Sequence, residues 1–275
     1  MQCDVFSATP TLGNALAVVL DAEGLSEQAM RRFAAWTNLA ETAFLFPPEH
    51  PEADYRVRIL TPTREMPFAG HPTLGSCAAW LAAGGRPGAP DTVRQECGVG
   101  IVEIDLAGEV PAFVAPPTTV GPLGEDRLGV LTDALELDRA RVVASARLDN
   151  GPVWEALELD SAEAVRAVDA RRVRWPEYRA IGLVGPQAPG SDTDFEVRTL
   201  APSSGMVEDP ITGSLNAALA HWMIGRGGIE GDVTVAQGGC IGRAGRVHVR
   251  LDPTDPGRVR IGGTSHVLVD GHVEL

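Results

Sequence analysis

Two short blocks of this sequence have the composition of a carboxylate-binding, proton-handling site. His71-Pro72-Thr73-Leu74-Gly75-Ser76 and Asp209-Pro210-Ile211-Thr212-Gly213-Ser214 each place a titratable residue before a proline and end on a Gly-Ser pair. Proline suits the first turn of a helix, where its missing N–H would have had no partner. The start of a helix offers unpaired N–H groups and the positive end of a dipole, which suits a small anion. His71 is a poor helix cap, so a substrate contact or proton relay accounts for it better than capping does. Asp209 reads two ways, as a good N-cap or as an acid/base group. Ser76 and Ser214 are either hydrogen-bond donors to a ligand or small residues at a crowded turn.

A third candidate is Glu41, in Asn38-Leu39-Ala40-Glu41-Thr42-Ala43-Phe44. Adding 140 to its number lands on Ile181, at the start of the apolar run Ile181-Gly182-Leu183-Val184. A carboxyl group on such a strand is either half-exposed at the strand end, or buried with a pKa raised towards neutrality, as a general acid/base requires.

These blocks sit in a longer internal repeat. Asp54-Tyr55-Arg56-Val57-Arg58-Ile59-Leu60-Thr61-Pro62 answers Asp194-Phe195-Glu196-Val197-Arg198-Thr199-Leu200-Ala201-Pro202, and Gln95, Val99 and Gly100 answer Gln237, Ile241 and Gly242. Three blocks in one order, at offsets of 140, 138 and 142, imply a duplicated chain of two similar halves. The boundaries expected are residues 1–117 with a terminal strand over 264–275, and residues 118–263. Facing halves would point both helix starts into one cleft.

The elements repeat as well. Alternation bounded by proline makes Val57–Leu60 and Val197–Leu200 strands. Helices are expected from Pro72 to about Ala83 and from Pro210 to about Gly225. Both are apolar nearly all round, so each should be the buried central helix of its half. A second helix per half is expected from Ser26 to about Trp36 and from Ser161 to about Ala170, each with serine as N-cap. The fold class expected is α+β: two pseudo-symmetric domains, each a curved, mostly antiparallel sheet or barrel around a central helix.

Composition excludes several functions. The 275 residues fit about two domains. The 23 cations are all arginine, so there is no lysine for a Schiff base, a P-loop or a general base. A net charge of −14 repels phosphate backbones and anionic membrane surfaces, so neither nucleic acid nor membrane is an expected partner. Cys3, Cys77, Cys97 and Cys240 are scattered, which indicates neither disulfides nor zinc, and no metal is expected. No signal-like or membrane-spanning stretch is apparent, so a soluble, cytoplasmic protein is expected. His221 reads as a packed helix residue, and His248, His266, His50 and His272 as surface groups.

The sequence resembles the phenazine-biosynthesis PhzF-like family, which has the diaminopimelate-epimerase fold. The residues that carry the resemblance are Asp4-Val5-Phe6 with Gly13-Asn14, Glu41-Thr42-Ala43-Phe44, Phe68-Ala69-Gly70 running into the His71 block, Glu208 running into the Asp209 block, and Gln237-Gly238 with Gly242-Arg243. The resemblance implies an isomerase that works without cofactor, and a homodimer. It implies Glu41, His71 and Asp209 as catalytic residues, and Asn14, Gly70, Gly75, Ser76, Gly213 and Ser214 as contacts to a small carboxylate. Ala15 and Ala236 stand where family motifs carry proline and glutamate. Related epimerases place a cysteine at each helix start; here those places hold His71 and Asp209. The expected reaction is therefore transfer of a proton between two carbons of a small unsaturated carboxylic acid by Glu41 alone. A racemase or epimerase of amino or hydroxy acids, and a non-catalytic small-molecule binder, are the alternatives.

Overall fold

The computed structural model describes residues 1–174, 180–201, 206–252, 255 and 257–275. The chain divides into two compact units, Met1–Val114 with Ile261–Leu275, and Ala115–Arg260. The first contains strands β1 (Gln2–Val5), β2 (Asn14–Val19), β3 (Glu41–Phe46), β4 (Tyr55–Leu60), β5 (Glu65–Met66), β6 (Thr92–Cys97), β7 (Gly100–Asp105) and β8 (Ala112–Val114). Its helices are α1 (Glu27–Thr37) and α2 (Gly70–Ala82). The second begins with β9 (Thr119–Gly121), α3 (Glu125–Leu135), β10 (Val142–Asp149), β11 (Val153–Leu159), α4 (Ala162–Ala167) and β12 (Ile181–Pro186). It continues with β13 (Phe195–Leu200), β14 (Glu208–Asp209), α5 (Gly213–Ile224), β15 (Val233–Gln237) and β16 (Gly245–Leu251), and β17 (Val259–Gly262) runs across the division after Arg260. The last strand, β18 (Ser265–Val269), pairs with β1.

Both units follow one connectivity. In the first, β1 and β2 are antiparallel, β2 and β3 parallel, and β3 and β4 antiparallel; β4 also pairs with β5 antiparallel and β6 parallel, and β6 with β7 antiparallel. In the second, β10 to β16 repeat these pairings step by step, and β9 lies along β10 as β18 lies along β1. The architecture is α+β and mostly antiparallel, and the sequence repeat is a repeat of topology.

The shared residues have shared work. Asp54 accepts from the Arg94 N–H at 2.7 Å and donates its own N–H to Arg94 O at 2.8 Å. Asp194 does the same with Thr234, at 2.7 and 2.8 Å. Arg58 and Arg198 each form a two-pronged ion pair with a glutamate on the neighbouring short strand, Glu65 and Glu208. Pro202, which closes the second copy of this block, lies outside the described residues.

The serine caps form as expected: Ser26 Oγ accepts from Ala29 N at 3.1 Å and Ser161 Oγ from Ala164 N at 3.3 Å. Helix α4 is shorter than expected, ending at Ala167. The buried Arg198 guanidinium donates to the carbonyls of Val165 and Val168, at 3.0 and 2.6 Å, and so satisfies that helix end. Helix α3 was not expected. Its Leu128, Leu131 and Leu135 recur at helical spacing and pack with Leu157, Leu159, Val165 and Ile181.

The two central helices start differently, which corrects the expectation of equivalent starts. Helix α2 begins at Gly70, so Pro72 is its third residue. Helix α5 begins only at Gly213, with Thr212 in the N-cap position, and Pro210 lies outside it. The cause is Gln237. Its Oε1 accepts the Thr212 N–H at 3.1 Å and its Nε2 donates to Thr199 Oγ1 at 3.0 Å and Thr212 Oγ1 at 3.2 Å. The Thr212 hydroxyl also donates to Asp209 Oδ2. These side-chain bonds compete with the helical turn and hold residues 209–212 out of it. Gln95 offers less competition: its amide donates to Thr73 Oγ1 at 3.0 Å, and Thr73 hydroxyl and N–H both go to Ala69 O as a helix start requires.

Candidate active site

In the first unit the register of three strands sets out one face of the sheet. Glu41, at the start of β3, lies beside Leu16 of β2. Asn14 is two residues before Leu16, so its side chain shares that face. On β1, Cys3 pairs with Leu16 and Val5 with Asn14. Helix α2 lies on this face at very close range. A Cβ on Gly75 would come within 2.6 Å of Leu16 Cδ2 and 3.0 Å of Val5 Cγ2, so only glycine lets the helix settle there. One turn earlier on the same helix face is His71.

The packing therefore delivers His71 onto Asn14 and Glu41. His71 Nδ1 lies 3.3 Å from Asn14 Nδ2, with both residues buried. His71 Nε2 lies 3.6 Å from Glu41 Oε2. The Glu41 side chain keeps 17% of its surface exposed. Burial alone pushes the His71 pKa from 6.5 down to about 3, so its ring is neutral near pH 7. The group is thus a carboxyl at a strand end, a neutral imidazole against it and an amide behind the imidazole. It is equipped for proton transfer, since an acid/base must be reachable and its neighbours fixed.

Gly75 and Ser76 lie deeper. Gly75 is accounted for by the approach of α2 to Leu16 and Val5, and Ser76 is fully buried, its hydroxyl without a hydrogen-bond partner among the described residues. Gly70 opens α2.

In the second unit Asp209 ends β14 opposite Thr199, rather than capping a helix, and its carboxylate accepts from the Thr212 hydroxyl. Gly213 and Ser214 are the first two residues of α5, both buried. The Ser214 carbonyl accepts from Asn150 Nδ2 at 2.8 Å, and Asn150 Oδ1 accepts from Trp154 Nε1 at 3.2 Å. Asn150 escaped the sequence reading, which offered no signal for it. Gln237 was visible in the third repeated block but carried no role there. His221 is packed between the Thr118 hydroxyl at 3.0 Å and Gly257 O at 3.3 Å. Among the described residues no three His, Cys, Asp or Glu side chains could hold a metal ion. No helix among them is long and apolar enough to cross a membrane.

Two repeats of one α+β topology, with a buried histidine beside a strand-end glutamate in the first, make a scaffold suited to moving a proton on a small molecule. Comparison with known proteins narrows this. The family model described as "Phenazine biosynthesis-like protein" matches residues 3–271. Trans-2,3-dihydro-3-hydroxyanthranilate isomerase of Pseudomonas aeruginosa is 30% identical over 298 residues, covering 99% of this chain and 98% of that protein. An uncharacterized isomerase of Mesorhizobium japonicum is 33% identical, covering 98% of this chain and 96% of its own. A solved structure of a predicted epimerase from Pseudomonas aeruginosa superposes with a TM-score of 0.81 at 25% identity, covering 98% of this chain and 96% of that one. The chain belongs to the PhzF-like phenazine-biosynthesis family. It is an enzyme with the isomerase or epimerase activity of that family.

Proposed function

We propose that this enzyme isomerises a small unsaturated carboxylic acid, with Glu41 as its only acid/base. The Glu41 carboxylate removes a proton from an acidic carbon, and the electron pair of that C–H bond spreads through the conjugated system towards the substrate carboxylate. The resulting Glu41 carboxylic acid returns the proton at another carbon, so the product is an isomer and nothing is oxidised or reduced. The observation that carries this reading is the asymmetry between the repeats. Glu41 and Ile181 open equivalent strands, β3 and β12, so the acid in one unit has an apolar side chain as its counterpart in the other. Inversion at a single carbon calls for two opposed bases; a shift between carbons on one face calls for one. The P. aeruginosa relative's name supports an unsaturated amino-carboxylate as the substrate class. Asp209 and Ser214, carried over by the resemblance, bind and orient that substrate, and the homodimer and cytoplasmic location it implies belong to the same reading.

The test uses trans-2,3-dihydro-3-hydroxyanthranilate and a set of unsaturated carboxylates in heavy water. Wild-type enzyme should move deuterium to a carbon other than the one that lost its proton. Glu41→Gln should lower kcat by about 10²–10⁴-fold, the usual contribution of a general acid/base. Turnover that survives in Glu41→Gln, or product inverted at the carbon that exchanged, would overturn the proposal.

A further inference from the structure

We propose that Asn14 is a positioning residue whose amide fixes His71 in the tautomer protonated at Nε2, and that this N–H holds the Glu41 carboxylate in place by Oε2. The second half rests on the function proposed for Glu41; the tautomer itself does not.

An amide nitrogen can only donate a hydrogen bond. Asn14 Nδ2 lies 3.3 Å from His71 Nδ1, so Nδ1 must present its lone pair. In a neutral imidazole the proton is then on Nε2. Ring neutrality follows from its complete burial, which makes the charged form expensive. Nε2 is itself buried and makes no hydrogen bond to a described residue. A buried N–H without an acceptor is costly, and Glu41 Oε2 stands 3.6 Å away, a small movement short of a hydrogen bond. The two oxygens of Glu41 are not alike. Oε2 is shut off from solvent, while the side chain as a whole keeps 17% of its surface exposed, so that exposure belongs to its other atoms. The buried oxygen is the one beside the imidazole.

The chemistry of position 14 is therefore specific. Aspartate would accept a hydrogen bond, draw the proton to Nδ1 and turn the Nε2 lone pair on Glu41 Oε2, replacing attraction with repulsion. Alanine would remove the preference for either tautomer.

The experiment is a long-range proton–nitrogen correlation spectrum of the full chain labelled with nitrogen-15 histidine. The His71 ring is identified as the pattern missing from His71→Gln. The expected result is a protonated Nε2 and an unprotonated Nδ1, unchanged from about pH 5 to 8, the range in which a free histidine would titrate. Asn14→Asp should exchange the two nitrogen types or give the doubly protonated ring, and Asn14→Ala should give a mixture. A wild-type ring protonated at Nδ1, or at both nitrogens, overturns the proposal, and no variant has to fold for that result. In turnover, Asn14→Asp should lower kcat at least tenfold with KM held, because Asn14 acts through His71; a change confined to KM would make it a substrate contact and overturn the positioning role. The spectrum needs no substrate, so failure of the isomerase reading in Glu41→Gln and failure of the tautomer are separate results.

Discussion

The close packing of α2 against β1 and β2 makes one substitution diagnostic. Gly75→Ala should gain about 0.8–1 kcal/mol in helix propensity, because glycine is the poorer helix former. Against this, the new methyl would lie 2.6 Å from Leu16 Cδ2 and 3.0 Å from Val5 Cγ2. Both side chains are fully buried, so neither can swing out to make room. Overpacking of this kind costs about 1–3 kcal/mol, so the net effect is a loss of roughly 1 kcal/mol. Gly129 in α3 is the control, since nothing lies within 4 Å of a Cβ built there. Gly129→Ala should stabilise by about 0.5–1 kcal/mol. The same chemical change should therefore move the unfolding temperature in opposite directions, by about 2–4 °C per kcal/mol in a protein near this size. Scanning calorimetry of both variants reads this. A double-mutant cycle with Leu16→Ala adds a second reading, because removing the obstructing methyls should relieve the strain and leave a coupling of about 1 kcal/mol. Activity should fall in Gly75→Ala, where His71 is one turn away on the displaced helix, and stay level in Gly129→Ala. If Gly75→Ala stabilised the protein as Gly129→Ala does, the close approach that places His71 would be refuted.

Two further outcomes concern buried ionisable groups. The Arg198–Glu208 pair is almost wholly buried, so Glu208→Ala would strand a guanidinium and should cost about 3–5 kcal/mol, whereas Glu65→Ala in the part-exposed equivalent pair should cost about 1 kcal/mol or less; urea unfolding separates the two. For His71, the folded-state pKa of about 3 lies below the unfolded value of 6.5, so between those values the unfolded chain binds a proton that the folded chain does not. Its contribution to stability is complete above about pH 6.5 and is lost as pH falls towards 3, with a slope approaching 1.4 kcal/mol per pH unit. His71→Gln should remove one proton from that slope in unfolding measured across the window; an unchanged slope would refute the burial of a neutral ring.

What the sequence disclosed depended on whether cause and effect lay close together along the chain. The serine caps were legible because a hydroxyl acts on an N–H three residues on. The repeated Asp54 and Asp194 were legible because each performs the same clasp on the same neighbouring strand, so duplication preserved residue and spacing together. The start of α5 was not legible, since Gln237 decides it from 25 residues away by capturing the Thr212 N–H. Nothing in Asp-Pro-Ile-Thr-Gly-Ser distinguishes that outcome from the helical start found in the His71 block. The candidate site lies between these cases. Residue types singled out Glu41 and His71, but their relation to Asn14 comes from strand register, from the pleat that puts Asn14 and Leu16 on one face, and from a glycine four residues beyond the histidine. The resemblance implies Gly75 as a substrate contact. Its packing adds a further necessity: without a side chain at that point, α2 can come near enough to the sheet for an imidazole to meet a carboxylate on β3. Glycine at 75 thereby does for the geometry of the site what Asn14 does for its protonation, and neither has to touch a substrate to do so.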